Sequence, residues 1–131
     1  MYADLTHEGR EIVTEKDNVI IRQVLNAKVG GAVLDTTDFE GDTIYAGHLV
    51  IYDEENNVFK PMPVNEETKK YASLPAGFSY YGVVIASVRK AAPFVGVMTR
   101  GEVNSKAAYY NMDSIKTAVV KALPHIIFTH D

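Results

Sequence analysis

Two β-type segments separated by only three residues place the strongest constraint on how this chain can fold. The segments YYGVVIASVRK (80–90) and FVGVMTRGEVN (94–104) are rich in Val, Ile, Tyr and Phe, and AAP joins them. Such residues favour the pleated surface of a sheet, and segments joined by a short connection commonly become neighbouring strands. We therefore predict that these two segments form strands that pair with each other.

A second pair of β-type segments precedes them. TIYAGHLVIYD (43–53) and VFKPMPV (58–64) are joined by residues 54–57, a Glu-Glu-Asn-Asn cluster that suits a turn, so we predict a hairpin. Pro61 and Pro63 lack the amide hydrogen that a sheet ladder needs. The second segment should therefore lie at a sheet edge or leave the sheet.

The remaining stretches before residue 80 give weaker signals. The apolar run VIIRQVL (19–25) leads to a Gly-Gly break, after which AVLD (32–35) is long enough for one strand. Residues 36–42 are typical of a loop. Residues 65–79 are polar and interrupted, so we interpret them as a connection with one possible helical turn at 66–71.

The C-terminal part contains the one helical pattern. Apolar residues recur at helical spacing after Asp113 and Ser114, either of which could cap the helix, and Pro124 ends the pattern. The apolar residues concerned are Ile115, Val119, Ala122 and Leu123. A final strand is predicted in HIIFTH (125–130).

These elements predict a mainly β fold with a short C-terminal helix. Many short strands at regular spacing are typical of a small β-barrel or a sandwich-like domain, which we assign to residues 19–131 as a single domain. Residues 1–18 alternate charged and isolated apolar residues without a sustained period. We therefore expect them to form an extended N-terminal arm.

Composition excludes several classes of protein. No window approaches the eighteen or so apolar residues that a membrane span requires. The net charge of −4 comes without a basic stripe, which argues against nucleic-acid binding. There is no cysteine, so disulfides and thiolate chemistry are excluded. We expect another protein surface as partner, and the N-terminal residues do not resemble a secretory signal.

Metal and calcium motifs are absent from the sequence. The acidic turn 53–57 begins like a calcium loop, but Val58 and Val64 stand where such a loop needs glycine and a bidentate carboxylate. The histidines form neither of the paired spacings typical of zinc sites. They are His7, His48, His125 and His130. We predict no metal site.

Catalytic signatures are also absent. The chain contains no G-x-S-x-G, no S-x-x-K, no phosphate-binding loop and no dinucleotide fingerprint. We therefore predict no catalytic residue, no cofactor-binding residue and no cofactor, and we expect a protein that is not an enzyme.

The corner at 99–104 follows directly on the last apolar β segment. We predict that Gly101 permits a bend there and that Glu102 and Asn104 satisfy nearby backbone groups as the chain turns toward the helix. Arg100 and Glu102 would share one face of a continuing strand. They would form either an exposed charged edge that blocks further pairing or the polar rim of a subunit interface.

The order of short motifs in the C-terminal part resembles the head decoration proteins of tailed bacteriophages, the group that includes the decoration protein of phage lambda. The similarity extends over residues 44–128 and includes the AGHLVIYDEENNVFKPM segment (46–62). The matching motifs, in order, are Gly82-Val83, Gly101-Glu102-Val103-Asn104, Ala107-Ala108, Ala118 to Leu123, and Ile126-Ile127.

The resemblance implies a homotrimer on the outer capsid surface of the virion, made in the host cytoplasm. It would hold neighbouring major capsid protein hexamers together at local three-fold positions, with its N-terminal arm on the coat protein. The tyrosines Tyr109 and Tyr110 suit an oligomer interface, although they suit the border of a β core equally well.

Two other functions remain open from the sequence. The first is a structural component of a head-fibre base or tail tube, which copy number in the particle would distinguish. The second is a small β-barrel ligand-binding protein or enzyme, which would require polar residues converging in a pocket.

Overall fold

The computed structural model describes residues 17–129. This part of the chain forms two short helices, α1 (Asp17–Ile20) and α2 (Lys116–Ala122), and twelve strands. The strands are β1 (Ile21–Ala27), β2 (Ala32–Val33), β3 (Thr43–Ile44), β4 (Leu49–Asp53), β5 (Val58–Pro61), β6 (Val64–Asn65), β7 (Lys70–Tyr71), β8 (Ser79–Val84), β9 (Val88–Arg89), β10 (Phe94–Val95), β11 (Val97–Asn104) and β12 (Ile126–Thr129).

A six-stranded sheet forms the centre of the domain. Its order is β1-β11-β8-β4-β5, and β12 lies parallel to the second half of β11. The predicted pairing of the two strongest β segments is confirmed, because Val97 and Met98 of β11 lie opposite Val84 and Val83 of β8. The predicted β4–β5 hairpin is also confirmed, and β5 ends at Pro61 on the sheet edge.

Both faces of the central sheet are buried along β4, β8 and β11, each by its own apolar cluster, whereas residues 22–27 of β1 are exposed. Successive residues point to opposite faces of a strand, so neighbours such as Leu49 and Val50, or Val83 and Val84, belong to different clusters. The first cluster lies between the sheet and α2 and β7, and the second between the sheet and β2, β3 and β10. Because β8 and β11 are buried on both faces over part of their length, successive residues there are apolar, which gives the apolar runs seen in the sequence.

Three small two-stranded sheets accompany the central one. They pair β2 with β10, β3 with β9, and β6 with β7. The sheets do not close on themselves, so of the two predicted architectures the fold is the sandwich-like one and not the barrel. The mainly β fold with a short C-terminal helix is as expected from the sequence.

Several local predictions were wrong. Residues 66–69 form the turn of the β6–β7 hairpin, where the Lys69 N–H bonds to the Asn65 carbonyl four residues earlier, as in a single turn of helix. The helical turn predicted at 66–71 is shorter than expected, because Lys69 has a positive φ of 55° and residues 70–71 form β7. The segment 43–53 contains two strands, β3 and β4. Helix α2 has Ile115 at its N-cap and no side-chain cap, so neither Asp113 nor Ser114 performs that role.

The predicted N-terminal arm lies mostly outside the described residues, which begin at Asp17. Its last two residues start helix α1, where the Asp17 carboxylate accepts hydrogen bonds from the Ser87 N–H at 2.9 Å and the Ser87 hydroxyl at 2.8 Å. The predicted domain boundary at residue 18 thus falls within a helical turn that is attached to the domain. Neither helix in residues 17–129 is long and apolar enough to cross a membrane.

Candidate interaction surfaces

The residues of the predicted corner lie inside a strand. Gly101 and Glu102 are part of β11, which continues to Asn104 and has β1 on one side and β8 then β12 on the other. The chain does not turn toward the helix at Gly101, because β11 continues through it, although the β1–β11 pairing shifts register beside this glycine. Since β11 is an interior strand, Arg100 and Glu102 do not form the exposed edge considered above. Gly101 instead marks where the neighbour of β11 changes from β8 to β12.

The chain turns at Asn104. This residue is buried, and its side-chain oxygen accepts hydrogen bonds from the backbone N–H groups of Lys106 at 3.2 Å and Ala107 at 3.3 Å. Asparagine commonly stabilises turns in this way. Of the three residues predicted to form the corner, Asn104 is therefore the one that satisfies backbone groups in a turn.

The two candidate interface tyrosines have different surroundings. Tyr110 is only 2% exposed and belongs to the first apolar cluster, so it is a core residue and not part of a free surface. Tyr109 is 43% exposed, with its ring stacked on Tyr45 at 4.2 Å between centroids and the Lys69 ammonium 4.9 Å from its centre. Tyr109 alone of this pair is accessible to a partner.

Glu66 connects these tyrosines electrostatically. Its carboxylate accepts a hydrogen bond from Lys69 at 2.7 Å and another from the Tyr110 hydroxyl. The hydrogen bond from Lys69, followed by that from Tyr110, lowers the pKa of Glu66 below its ordinary value. Burial and the bond to Glu66 raise the pKa of Tyr110. The network fixes the loop that carries Tyr109 against the β6–β7 turn.

His48 is the buried titratable group nearest to this network. Its Nε2 lies 2.9 Å from the Met62 carbonyl, to which it donates, and the rings of Phe39, Tyr71 and Tyr110 surround it. Burial lowers the pKa of His48 to about 4. A neutral imidazole held between aromatic rings serves packing here, and its Nδ1 has no hydrogen-bond partner among the described residues.

Three large apolar side chains on and next to the β2–β10 pair are exposed, and sequence reasoning missed them. We call this surface the apolar tip (Val29, Val33 and Phe94), whose side chains are 94%, 69% and 60% exposed. Val33 and Phe94 are cross-strand partners in the β2–β10 pair, and Val29 lies in the turn just before β2. Ala32 and Leu34 on either side of Val33 are buried, and the continuous apolar run 32–34 gives no signal in the sequence that Val33 is the exposed residue.

A second surface is acidic. An open depression that we call the acidic depression is lined by glutamates above two small apolar side chains. Its lining consists of Glu40, Val64, Asn65, Glu66, Glu67 and Ala72. Within residues 17–129, no group of three or more acidic, histidine or cysteine side chains is arranged to hold a metal ion.

Comparison with known proteins adds no family to this description. No protein-family model, no curated protein and no solved structure matches the chain.

Proposed function

We propose that this chain is a non-enzymatic decoration protein of a tailed-phage head. It binds the outer capsid surface as a homotrimer and stabilises the lattice of the major capsid protein. The proposal rests on the order of motifs over residues 44–128 that resembles this family, together with the surfaces that the domain presents.

The observation that carries the proposal is the apolar tip. Scattered exposed apolar residues are ordinary, but a contiguous group on a small domain marks a surface that contacts another molecule. Phe94 and Val33 are paired across two strands and remain accessible on the outside of the domain. Covering these side chains on binding would stabilise a complex through burial of apolar area.

Attachment to the coat protein is assigned to residues 1–16. Charged residues are spread along this segment, and backbone pairing with an exposed sheet edge of a partner would attach it without a large apolar contact. The anchored Asp17 would hold the C-terminal end of that segment at a fixed point on the domain.

The mechanism requires no reaction centre. Apolar burial between copies of the chain and against coat-protein hexamers would link neighbouring hexamers at local three-fold positions. Binding would be favoured when expansion of the lattice creates the site. Resistance of the capsid to disruption would then come from the contacts of many copies acting together.

The test is a binding assay with capsids that lack this chain. Purified protein should co-sediment saturably with expanded capsids, at a stoichiometry set by the three-fold positions, and should bind unexpanded capsids far less. Absence of saturable binding to expanded capsids would contradict the proposal.

A further inference from the structure

The loop that carries Tyr109, which we call the tyrosine loop (residues 107–112), is attached to the β6–β7 hairpin through its backbone. The Asn111 N–H donates to the Lys69 carbonyl at 2.7 Å, and the Tyr71 N–H donates to the Asn111 carbonyl at 3.2 Å. These hydrogen bonds belong to an isolated parallel bridge and not to a continuous pair of strands. Side-chain packing therefore has a large share in holding the centre of the loop in place.

Tyr110 supplies this side-chain attachment. Its ring meets the ring of His48 edge to face, at 5.3 Å between centroids, and its hydroxyl donates to the Glu66 carboxylate. The same carboxylate binds Lys69, whose ammonium lies 4.9 Å from the centre of the Tyr109 ring. Side-chain contacts thus connect the buried His48 to the exposed Tyr109.

The surroundings of His48 suit a neutral imidazole. The side chain lies in an aromatic cage (Phe39, Tyr71 and Tyr110) and is 2% exposed. Its Nε2 donates to the Met62 carbonyl at 2.9 Å, whereas its Nδ1 has no hydrogen-bond partner among the described residues. In the protonated ring both nitrogens are donors, and a buried donor without an acceptor is costly. The present arrangement of the cage therefore does not accommodate an imidazolium.

The charged and titratable neighbours of the imidazole come from two segments. Glu66 on the β6–β7 turn is the charged group within residues 17–129 that acts on the ring, and its negative charge favours the protonated form. Burial has the larger effect and lowers the pKa of the imidazole to about 4. Tyr71 and Tyr110 also face the ring, and both stay neutral in acid because burial raises their pKa. The remaining neighbours, Phe39 and Met62, carry no titratable group.

We infer that proton uptake by His48 releases the tyrosine loop and makes the surface around Tyr109 sensitive to acid. The Nδ1 hydrogen of the imidazolium needs an acceptor, which it reaches by leaving the cage or by drawing Glu66 toward it. Either movement breaks the contacts that hold Tyr110. The switch acts within one chain, so it does not depend on the proposed function. A partner bound to the Tyr109 surface would be released as the pH falls.

Amide hydrogen exchange of the full chain, followed by NMR at pH 6.5 and pH 5, tests this switch. The Asn111 amide reports opening of the tyrosine loop, and the amides of the β4–β8 pair report opening of the central sheet. Protection at Asn111, corrected for the intrinsic exchange rate, should be lower than in the β4–β8 pair. It should also fall roughly tenfold from pH 6.5 to pH 5, because His48 in the open loop regains its ordinary pKa of 6.5 and binds the proton more readily.

Two variants isolate the contribution of His48. His48→Phe should reduce the change in Asn111 protection between the two pH values to less than about threefold. His125→Phe is the matched control, because His125 is exposed and lies outside the cage, and it should retain the change of the wild type.

The wild-type chain alone decides the question if His48→Phe does not fold. Equal protection at Asn111 and in the β4–β8 pair would show that the loop opens only when the whole domain unfolds. Protection at Asn111 that stays constant between pH 6.5 and pH 5 would show that His48 remains in its cage when the loop opens. Either result would overturn the inference.

Discussion

Gly101 on β11 approaches Gln23 on β1 so closely that a Cβ at residue 101 would lie 2.2 Å from the Gln23 carbonyl oxygen. That oxygen belongs to the backbone of the central sheet, so the contact cannot relax by a side-chain rotation. Gly101→Ala should therefore lower the free energy of unfolding by about 2–4 kcal/mol, as measured by urea denaturation.

Gly77→Ala provides the control for this substitution. Gly77 also has a positive φ, of 84°, but nothing lies within 4 Å of the Cβ position. Gly77→Ala should lower the free energy of unfolding by about 1 kcal/mol, through backbone strain alone. Equal losses for the two variants would show that the strand contact at Gly101 is not what requires glycine.

Stability should decrease as the pH falls from 6.5 toward 4 because of His48. Its pKa is about 4 in the folded chain against an ordinary 6.5, so the unfolded chain binds this proton more readily. The contribution of neutral His48 to the free energy of unfolding is fully present above pH 6.5, and about 3 kcal/mol of it is lost by pH 4. The negative charge of Glu66 acts in the opposite direction, since it raises the pKa of the nearby His48 imidazole. Tyr71 and Tyr110 are neutral between pH 4 and pH 6.5.

The variant His48→Phe isolates the effect of His48. Its free energy of unfolding should vary much less between pH 6.5 and pH 5 than that of the wild type. Below pH 5 the carboxylates with a lowered pKa, such as Glu66 and Asp53, begin to be protonated. Their own stabilising contribution to the folded state is then lost as well. An identical slope in both proteins between pH 6.5 and pH 5 would refute the assignment.

The exposed and the buried tyrosine should respond differently to substitution. Tyr109→Glu should reduce the fraction of trimers seen in native mass spectrometry. It should lower the free energy of unfolding by less than about 1.5 kcal/mol, because the substitution removes mainly the stacking on Tyr45. Tyr110→Phe should cost about 1–2 kcal/mol, since it removes a hydrogen bond to the charged Glu66, and should leave the oligomer intact. A native mass for Tyr109→Glu unchanged from the wild type would exclude Tyr109 from the interface.

Removing the N-terminal residues should separate attachment from folding. Deletion of residues 1–16 should leave the thermal midpoint nearly unchanged and abolish capsid attachment. Asp17→Ala in the full chain should retain attachment and lower stability by about 1–2 kcal/mol, because the buried Ser87 loses its carboxylate partner. Attachment by the truncated chain would show that residues 1–16 are not the binding segment.

The elements predicted most reliably were those with a strong local pattern. Val83, Val84, Val97 and Met98 lie in long runs of β-type residues, and their burial on opposite faces of one sheet follows from alternation along the strand. The helical turn predicted at 66–71 ends two residues early because Lys69 takes a positive φ, which is uncommon for residues other than glycine, asparagine and aspartate.

The candidate site was less predictable because it depends on tertiary neighbours. Nothing local to Gly101 shows that β1, which is distant along the chain, would approach it. Tyr109 and Tyr110 are adjacent in sequence, and it is the tertiary neighbours of Tyr110, among them Glu66, His48 and Tyr71, that distinguish the core residue from the surface residue. The apolar tip likewise arises from pairing Val33 with Phe94.

Counting copies of this chain in purified virions by quantitative mass spectrometry tests the central claim most directly. The decoration role predicts a ratio to the major capsid protein near one to one, or a simple fraction set by the three-fold positions. Absence from the particles, or only a handful of copies in each, would contradict it.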